Sequence, residues 1–142
     1  MKDIKIFCDG GSRGNPGLSS CAFVVFENGE KVFEKYFALG MATNNIAEYS
    51  ALVKAYEWLK NERVKCLGEC YVKFYLDSML VVSQVTGVYK IKNNNLKNLF
   101  FKIKEYEKTF KNKPEYFFIT RDKNKRADYL VNYALNNNSN IK

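Results

Sequence analysis

The 142-residue chain contains no histidine. That absence excludes Ser-His-Asp and Cys-His catalysis, imidazole general bases and every zinc site that needs a histidine ligand. Cysteine is scarce: Cys8, Cys21, Cys66 and Cys70 are the only four. Cys66 and Cys70 have no second close pair, so the spacing matches no zinc pattern. We read all four as small buried hydrophobes in a reducing compartment. Proline occurs twice, and each occurrence marks a break: Pro16 in a glycine-rich stretch and Pro114 after a helical pattern. No apolar run reaches membrane-spanning length, and no apolar signal segment follows Met1, so a cytoplasmic protein with no membrane partner is expected. Acids are outnumbered, 15 against 23 Lys and Arg, for a net charge of +8. Such a balance favours a polyanion as partner. Most of the excess is lysine spread along helices, however, so patterning has to decide. Hydrophobic residues at 46% and charged residues at 27% place the chain among ordinary globular proteins. We expect one domain over residues 1–136, a frayed tail over 137–142, and a monomer by default.

What is present is organised around the stretch from Lys5 to Gly17. Ile4, Ile6 and Cys8 alternate with Lys5, Phe7 and Asp9, which predicts a strand. Four glycines and a proline within the next eight positions then predict a loop, in which backbone groups approach a ligand closely. Asp9 at that junction reads either as a turn cap or as a site carboxylate. Residues 19–26 form a second apolar run, Asn28-Gly29 signals a tight hairpin, and residues 31–38 alternate as a third strand. Residues 39–43 read as a linker, with Thr43 or Asn44 capping a helix to about Asn61. Its stripe is Ile46, Tyr49, Leu52, Val53, Tyr56 and Leu59. Glu48 is anomalous beside that stripe, in the first turn or so; a dipole-favoured carboxylate is the plain alternative. Residues 70–76 are strand again and end on Asp77; residues 78–85 read as a short helix stopped by Gly87. A polar connector with Lys90, Lys92 and Asn93 leads to a third helix, whose stripe ends at Tyr106 or Glu107. Residues 116–120 give a fifth strand and residues 124–136 a last helix with Asp128 in its first turn. The order is βββαβαβα.

Asp9 and Asp77 end strands, while Glu48 and Asp128 begin helices. In an α/β sheet, sites form at the carboxyl ends of strands and the adjoining helix starts, so all four acids can meet at one edge if the first strand is central and the fourth lies parallel beside it. Four bare carboxylates together repel, so the grouping makes sense only around cations. Oxygen-only ligands select hard metals, Mg²⁺ first and Mn²⁺ second.

Four blocks carry a resemblance: Asp9-Gly10-Gly11-Ser12-Arg13-Gly14-Asn15-Pro16-Gly17; Thr43-Asn44-Asn45-Ile46-Ala47-Glu48; Asp77-Ser78 with Val81, Val82 and Gln84; and Arg121-Asp122-Lys123-Asn124-Lys125-Arg126-Ala127-Asp128. In order and spacing they resemble the type 1 ribonuclease H family over nearly the whole chain, in the short form without the basic protrusion. The resemblance implies the ribonuclease H fold, a five-stranded mixed sheet of order 3-2-1-4-5 flanked by helices. It implies endonucleolytic hydrolysis of the RNA strand of an RNA–DNA hybrid, leaving 5′-phosphates, with two Mg²⁺ ions. By that likeness Asp9 bridges both ions, Asp128 completes the water-side ion, and Glu48 and Asp77 complete the leaving-group ion. Gly10, Gly11, Ser12, Arg13, Asn15, Asn44, Asn45 and Gln84 match residues that meet the nucleic acid. Thr43 and Asn93 match a phosphate pocket, with Lys90 and Lys92 adding charge. For these polar residues a loop or cap role is the competing reading. Phe118 stands where many relatives carry a histidine, which bears on turnover; Asp122 nearby is not assigned its role. Two alternatives stay open: a non-catalytic hybrid-binding module, and a nuclease of the same fold acting on double-stranded RNA or DNA junctions.

Overall fold

Alternating branched and aromatic residues build three long antiparallel strands first: β1 (Lys2–Gly14), β2 (Gly17–Glu27) and β3 (Glu30–Ala42). The computed structural model describes residues 2–62 and 69–139, without the side chains at 62, 138 and 139. Cys66 and the tail beyond 139 lie outside the described residues. Asn28 and Gly29 turn β2 into β3 with φ of 51° and 89°. Positive φ at both positions gives the turn whose twist matches its strands. The Asn28 side-chain carbonyl also accepts the Asp3 N–H at 3.0 Å, closing the hairpin onto β1.

The glycine run does not end the first strand as expected. β1 continues through it, pairing with β2 as far as Gly14 opposite Gly17. The glycines serve packing as well as turning: a Cβ on Gly10 would lie 2.3 Å from the backbone carbonyl of Ala47, in the following helix. The expected linker over 39–43 is likewise strand to Ala42, where Gly40 at φ 72° accompanies a register shift against β2.

Thr43 caps α1 (Asn44–Glu62), its hydroxyl accepting the Ile46 N–H at 3.2 Å. Tyr49, Leu52, Val53, Tyr56 and Leu59 are buried on its stripe, with Ile46 packed at the edge. Complete burial of such side chains stabilises by roughly 1.5–3 kcal/mol each. β4 (Cys70–Leu76) runs parallel beside β1. Ser78 caps α2 (Met79–Val85), and Asn93 caps α3 (Asn94–Glu107) by accepting the N–H groups of Asn95 and Leu96. β5 is Glu115–Phe118, shorter than expected because Ile119 and Thr120 already lead into a single 3-10 turn over Arg121–Lys123. The last helix, α4 (Lys125–Ser139), runs three residues past its expected end at Asn136.

The five strands order as β3-β2-β1-β4-β5. On one face α1 covers Ile4, Ile6, Cys8, Phe23 and Phe74, with α3 packed against α1; on the other α4 covers Ala22 and Val24. Cys8, Cys21 and Cys70 are buried, as expected. Among the described residues no helix is long and apolar enough to cross a membrane. β1 and β4 pair last at Cys8 and Leu76. The next residue of each chain segment, Asp9 and Asp77, therefore stands where the two strands part.

Candidate metal and nucleic-acid site

Residues that follow paired strands inherit their positions from the sheet. Asp9 still pairs with β2 opposite Ala22 and is 6% exposed. Asp77 follows β4 directly. Glu48 arrives from α1, whose close approach over Gly10 sets its height above the sheet. It sits in the second turn rather than the first, and so draws less on the helix dipole than expected. One carboxylate oxygen each from Asp9, Glu48 and Asp77 lies within 4.8 Å of the others. Asp128, in the first turn of α4, lines the same cleft of about 430 Å³. It acts on Asp9 through its charge without belonging to that tight trio.

The electrostatics of the cleft are unfavourable to the bare protein. Burial, then the charges of Asp77, Glu48 and Asp128, push the Asp9 carboxyl up to about 9, against the pull of the Gly10 N–H bonded to it at 2.9 Å. Burial and Asp77 push Glu48 up to about 8, while a bond from Ser78 and the charge of Arg121 oppose this. Asp77 Oδ1 is buried without a hydrogen-bond partner. Buried polar atoms are ordinarily paired, so an orphaned carboxylate oxygen beside two desolvated carboxylates fits a hard cation as the missing partner. Every donor is oxygen, which fits Mg²⁺ or Mn²⁺ rather than a thiophilic metal.

Around this centre the loop ends are tied to one another. Asn44 Oδ1 accepts the Ser12 N–H at 2.9 Å, and Asn15 Oδ1 accepts the Asn44 N–H at 3.0 Å. The Ser12 hydroxyl donates to the Ala42 carbonyl at 2.8 Å. Gly10, Gly11, Ser12, Arg13 and Asn44 line the cleft with the acids, and Asn45 sits beside Asn44 at the start of α1. Arg13 is exposed and bonds Asn136. Thr43 and Asn93 each cap a helix, and Lys90 and Lys92 project from the exposed connector between α2 and α3.

Gln84 sits deeper than the other predicted contacts. It is 6% exposed; its carbonyl accepts the Tyr49 hydroxyl at 2.7 Å and its amide donates to the Lys90 carbonyl at 3.4 Å. Those bonds hold it between α1 and the connector that follows α2. Conversely, Arg121 and Asn132 line the cleft and were not singled out from the sequence. Arg121 lay within a quoted block, but nothing in its spacing separated it from neighbouring exposed cations. Phe118 ends β5 at the surface, and Asp122 is exposed on the 3-10 turn with its carboxyl held low by the Thr120 hydroxyl.

Comparison with known proteins points one way. Residues 1–135 match the family model described as RNase H. The bifunctional protein Rv2228c of Mycobacterium tuberculosis is 35% identical over 134 residues, covering 93% of this chain and 35% of that protein. The chain thus spans about a third of the length of the first curated relatives it matches. Among solved structures, LC11-RNase H1 in complex with an RNA/DNA hybrid superposes with a TM-score of 0.83 at 38% identity, covering 92% of this chain and 94% of that one. RNase H1 from the halophilic archaeon Halobacterium salinarum gives 0.86 at 32% identity, covering 95% and 98%.

Proposed function

Since the chain belongs to the RNase H family, we propose that it is an endonuclease hydrolysing the RNA strand of RNA–DNA hybrids, with Mg²⁺ as preferred cofactor and Mn²⁺ as second choice. The observation that carries this is the meeting of Asp9, Glu48 and Asp77 within 4.8 Å around an unpartnered buried oxygen. A structural neighbour solved with an RNA/DNA hybrid supports the substrate class.

Asp9, Glu48 and Asp77 are the residues that would hold the cations, with Asp128 contributing from the α4 side of the cleft. A bound pair of divalent ions supplies Lewis-acid polarisation of the scissile phosphate and lowers the pKa of the attacking water. Among the described residues the cleft offers no activated nucleophile, which supports attack by water; a 5′-phosphate product is part of the proposal. Arg121 sets a positive charge beside Glu48, opposing the build-up of negative charge where a phosphate enters.

Selectivity is proposed to lie in the minor groove, where RNA displays its 2′-hydroxyls. The edge formed by Gly10, Gly11, Ser12, Arg13, Asn15, Asn44 and Asn45 is held rigid by its own hydrogen bonds, which suits reading a fixed groove shape. Thr43, Asn93, Lys90 and Lys92 are the proposed contacts to the DNA-strand backbone. The unit is taken as residues 1–136 acting as a monomer in the cytoplasm.

Labelled hybrid, duplex RNA and duplex DNA of one sequence, each incubated with Mg²⁺, test the proposal. Cleavage of the hybrid's RNA strand alone, lost in Asp9→Asn, supports it. Binding without cleavage, or cleavage of another duplex in preference, overturns it.

A further inference from the structure

Asn124, at the junction of the 3-10 turn and α4, does more than start a helix. Its backbone carbonyl accepts the Asp128 N–H at 3.0 Å. Its side chain reaches under the cleft, where the amide donates to the Cys8 carbonyl at 2.8 Å and, through a longer bond of 3.5 Å, to Asp77 Oδ2. The residue is 1% exposed. Cys8 carries the last β1 pairing with β4, so its carbonyl looks into the gap that opens as the strands part. An acceptor there fixes the orientation of the amide, since only the NH₂ end can bond it. One buried side chain is therefore joined to the residue before Asp9, to Asp77 itself, and through its backbone to Asp128.

Those bonds use only one of the two oxygens on Asp77: Oδ2 takes the amide, while Oδ1 is the buried atom without a partner. We propose that Asn124 is a positioning residue for the cation site, locking Asp77 in the rotamer that presents Oδ1 as ligand and holding Asp9 and Asp128 at fixed distance from it. Partners that orient metal-ligating carboxylates typically matter 10- to 100-fold in metal affinity or activity. The inference rests on the metal-dependent reading given above, and its test separates the two.

Calorimetric titration of Mn²⁺ and Mg²⁺ into the metal-free full chain is the direct measurement, run on the wild type, Asp9→Asn, Asn124→Ala and Asn124→Asp. The aspartate variant keeps the side-chain shape but, ionised, cannot donate to Cys8 or Asp77; it carries the test should the alanine variant fail to fold. Expected are cation affinities about 10- to 100-fold weaker for both Asn124 variants, with the hybrid KM unchanged and cleavage restored by raising the cation concentration. A purely structural asparagine would instead lower Tm equally with and without cation and leave the affinity at the wild-type value. That result overturns the inference while the nuclease reading stands. A wild-type chain that takes up no cation overturns both.

Discussion

Two carboxylates are buried, one on α3 against β5 and one on β1, and the molecule treats them in opposite ways. Glu107, 8% exposed on α3, accepts the Tyr116 hydroxyl at 2.5 Å and the Lys104 ammonium at 3.2 and 3.3 Å. Tyr116 in turn meets the Tyr56 hydroxyl at 2.5 Å, and Lys104 also donates to the Val85 carbonyl that ends α2. That cluster closes on itself, tying α1, α2, α3 and β5 together. Asp9, 6% exposed, has one amide at 2.9 Å and three other acids as its electrostatic company. A buried charge supplied with partners by the fold is there for architecture; one supplied with further like charges waits for something from outside.

The comparison is broken most sharply by Asp9→Asn. Cleavage should fall by more than the ~100-fold typical of losing a supporting partner, while Tm in EDTA should rise because folding no longer has to bury that carboxyl or protonate it. Glu107→Ala should do the reverse. Leaving Lys104 and Tyr116 without their acceptor should cost about 1–3 kcal/mol in a urea melt, with hybrid cleavage per folded molecule unchanged. A Glu107 variant that lost activity without losing stability would erase the distinction.

Titration sharpens it further. Asp9 and Glu48 have folded values near 9 and 8, above their ordinary 3.8 and 4.5. Between those limits the folded state binds more protons than the unfolded one, so metal-free stability should decline as pH rises from about 5 to 9. Saturating Mg²⁺ should flatten or invert that slope in thermal melts, since cations favour the ionised carboxylates. An unchanged slope would sink the cleft electrostatics described here. The smallest effect belongs to the exposed pair that joins β3 to α4, where the Arg126 guanidinium makes bonds of 2.6 and 2.9 Å to Glu34. Arg126→Ala should cost under about 1 kcal/mol, with no change in cation affinity.

The individual strands and the helical stripe of α1 were legible because alternation and a 3.6-residue repeat report which face is buried; the order of the strands in the sheet came from the family resemblance alone. The acids were legible for another reason: a carboxylate at the end of an apolar strand contradicts its surroundings, and Asp9 and Asp77 do so in the same way. What misled was glycine. The run from Gly10 to Gly14 reads as a loop, yet Gly10 is small because the backbone of α1 lies on it, a requirement set by an element distant in sequence. At Gln84 too a partner was hidden: only the fold brings the Tyr49 hydroxyl to its carbonyl. The stripe of α3 left Tyr106 and Glu107 as equals, and the tyrosines of α1 and β5 decide for burial of the glutamate.

The carbonyl of Ala47 rests where a side chain on Gly10 would have to be. Asp9 and Glu48 are each the immediate neighbour of one member of that contact, so their separation is set by two backbones in touch and no adjustable side chain lies between them. Even the smallest replacement at Gly10 would tilt α1 like a lever, lifting Glu48 from its companions. Anyone evolving this chain toward new substrates would do well to leave that fulcrum alone and diversify the exposed connector over residues 86–93.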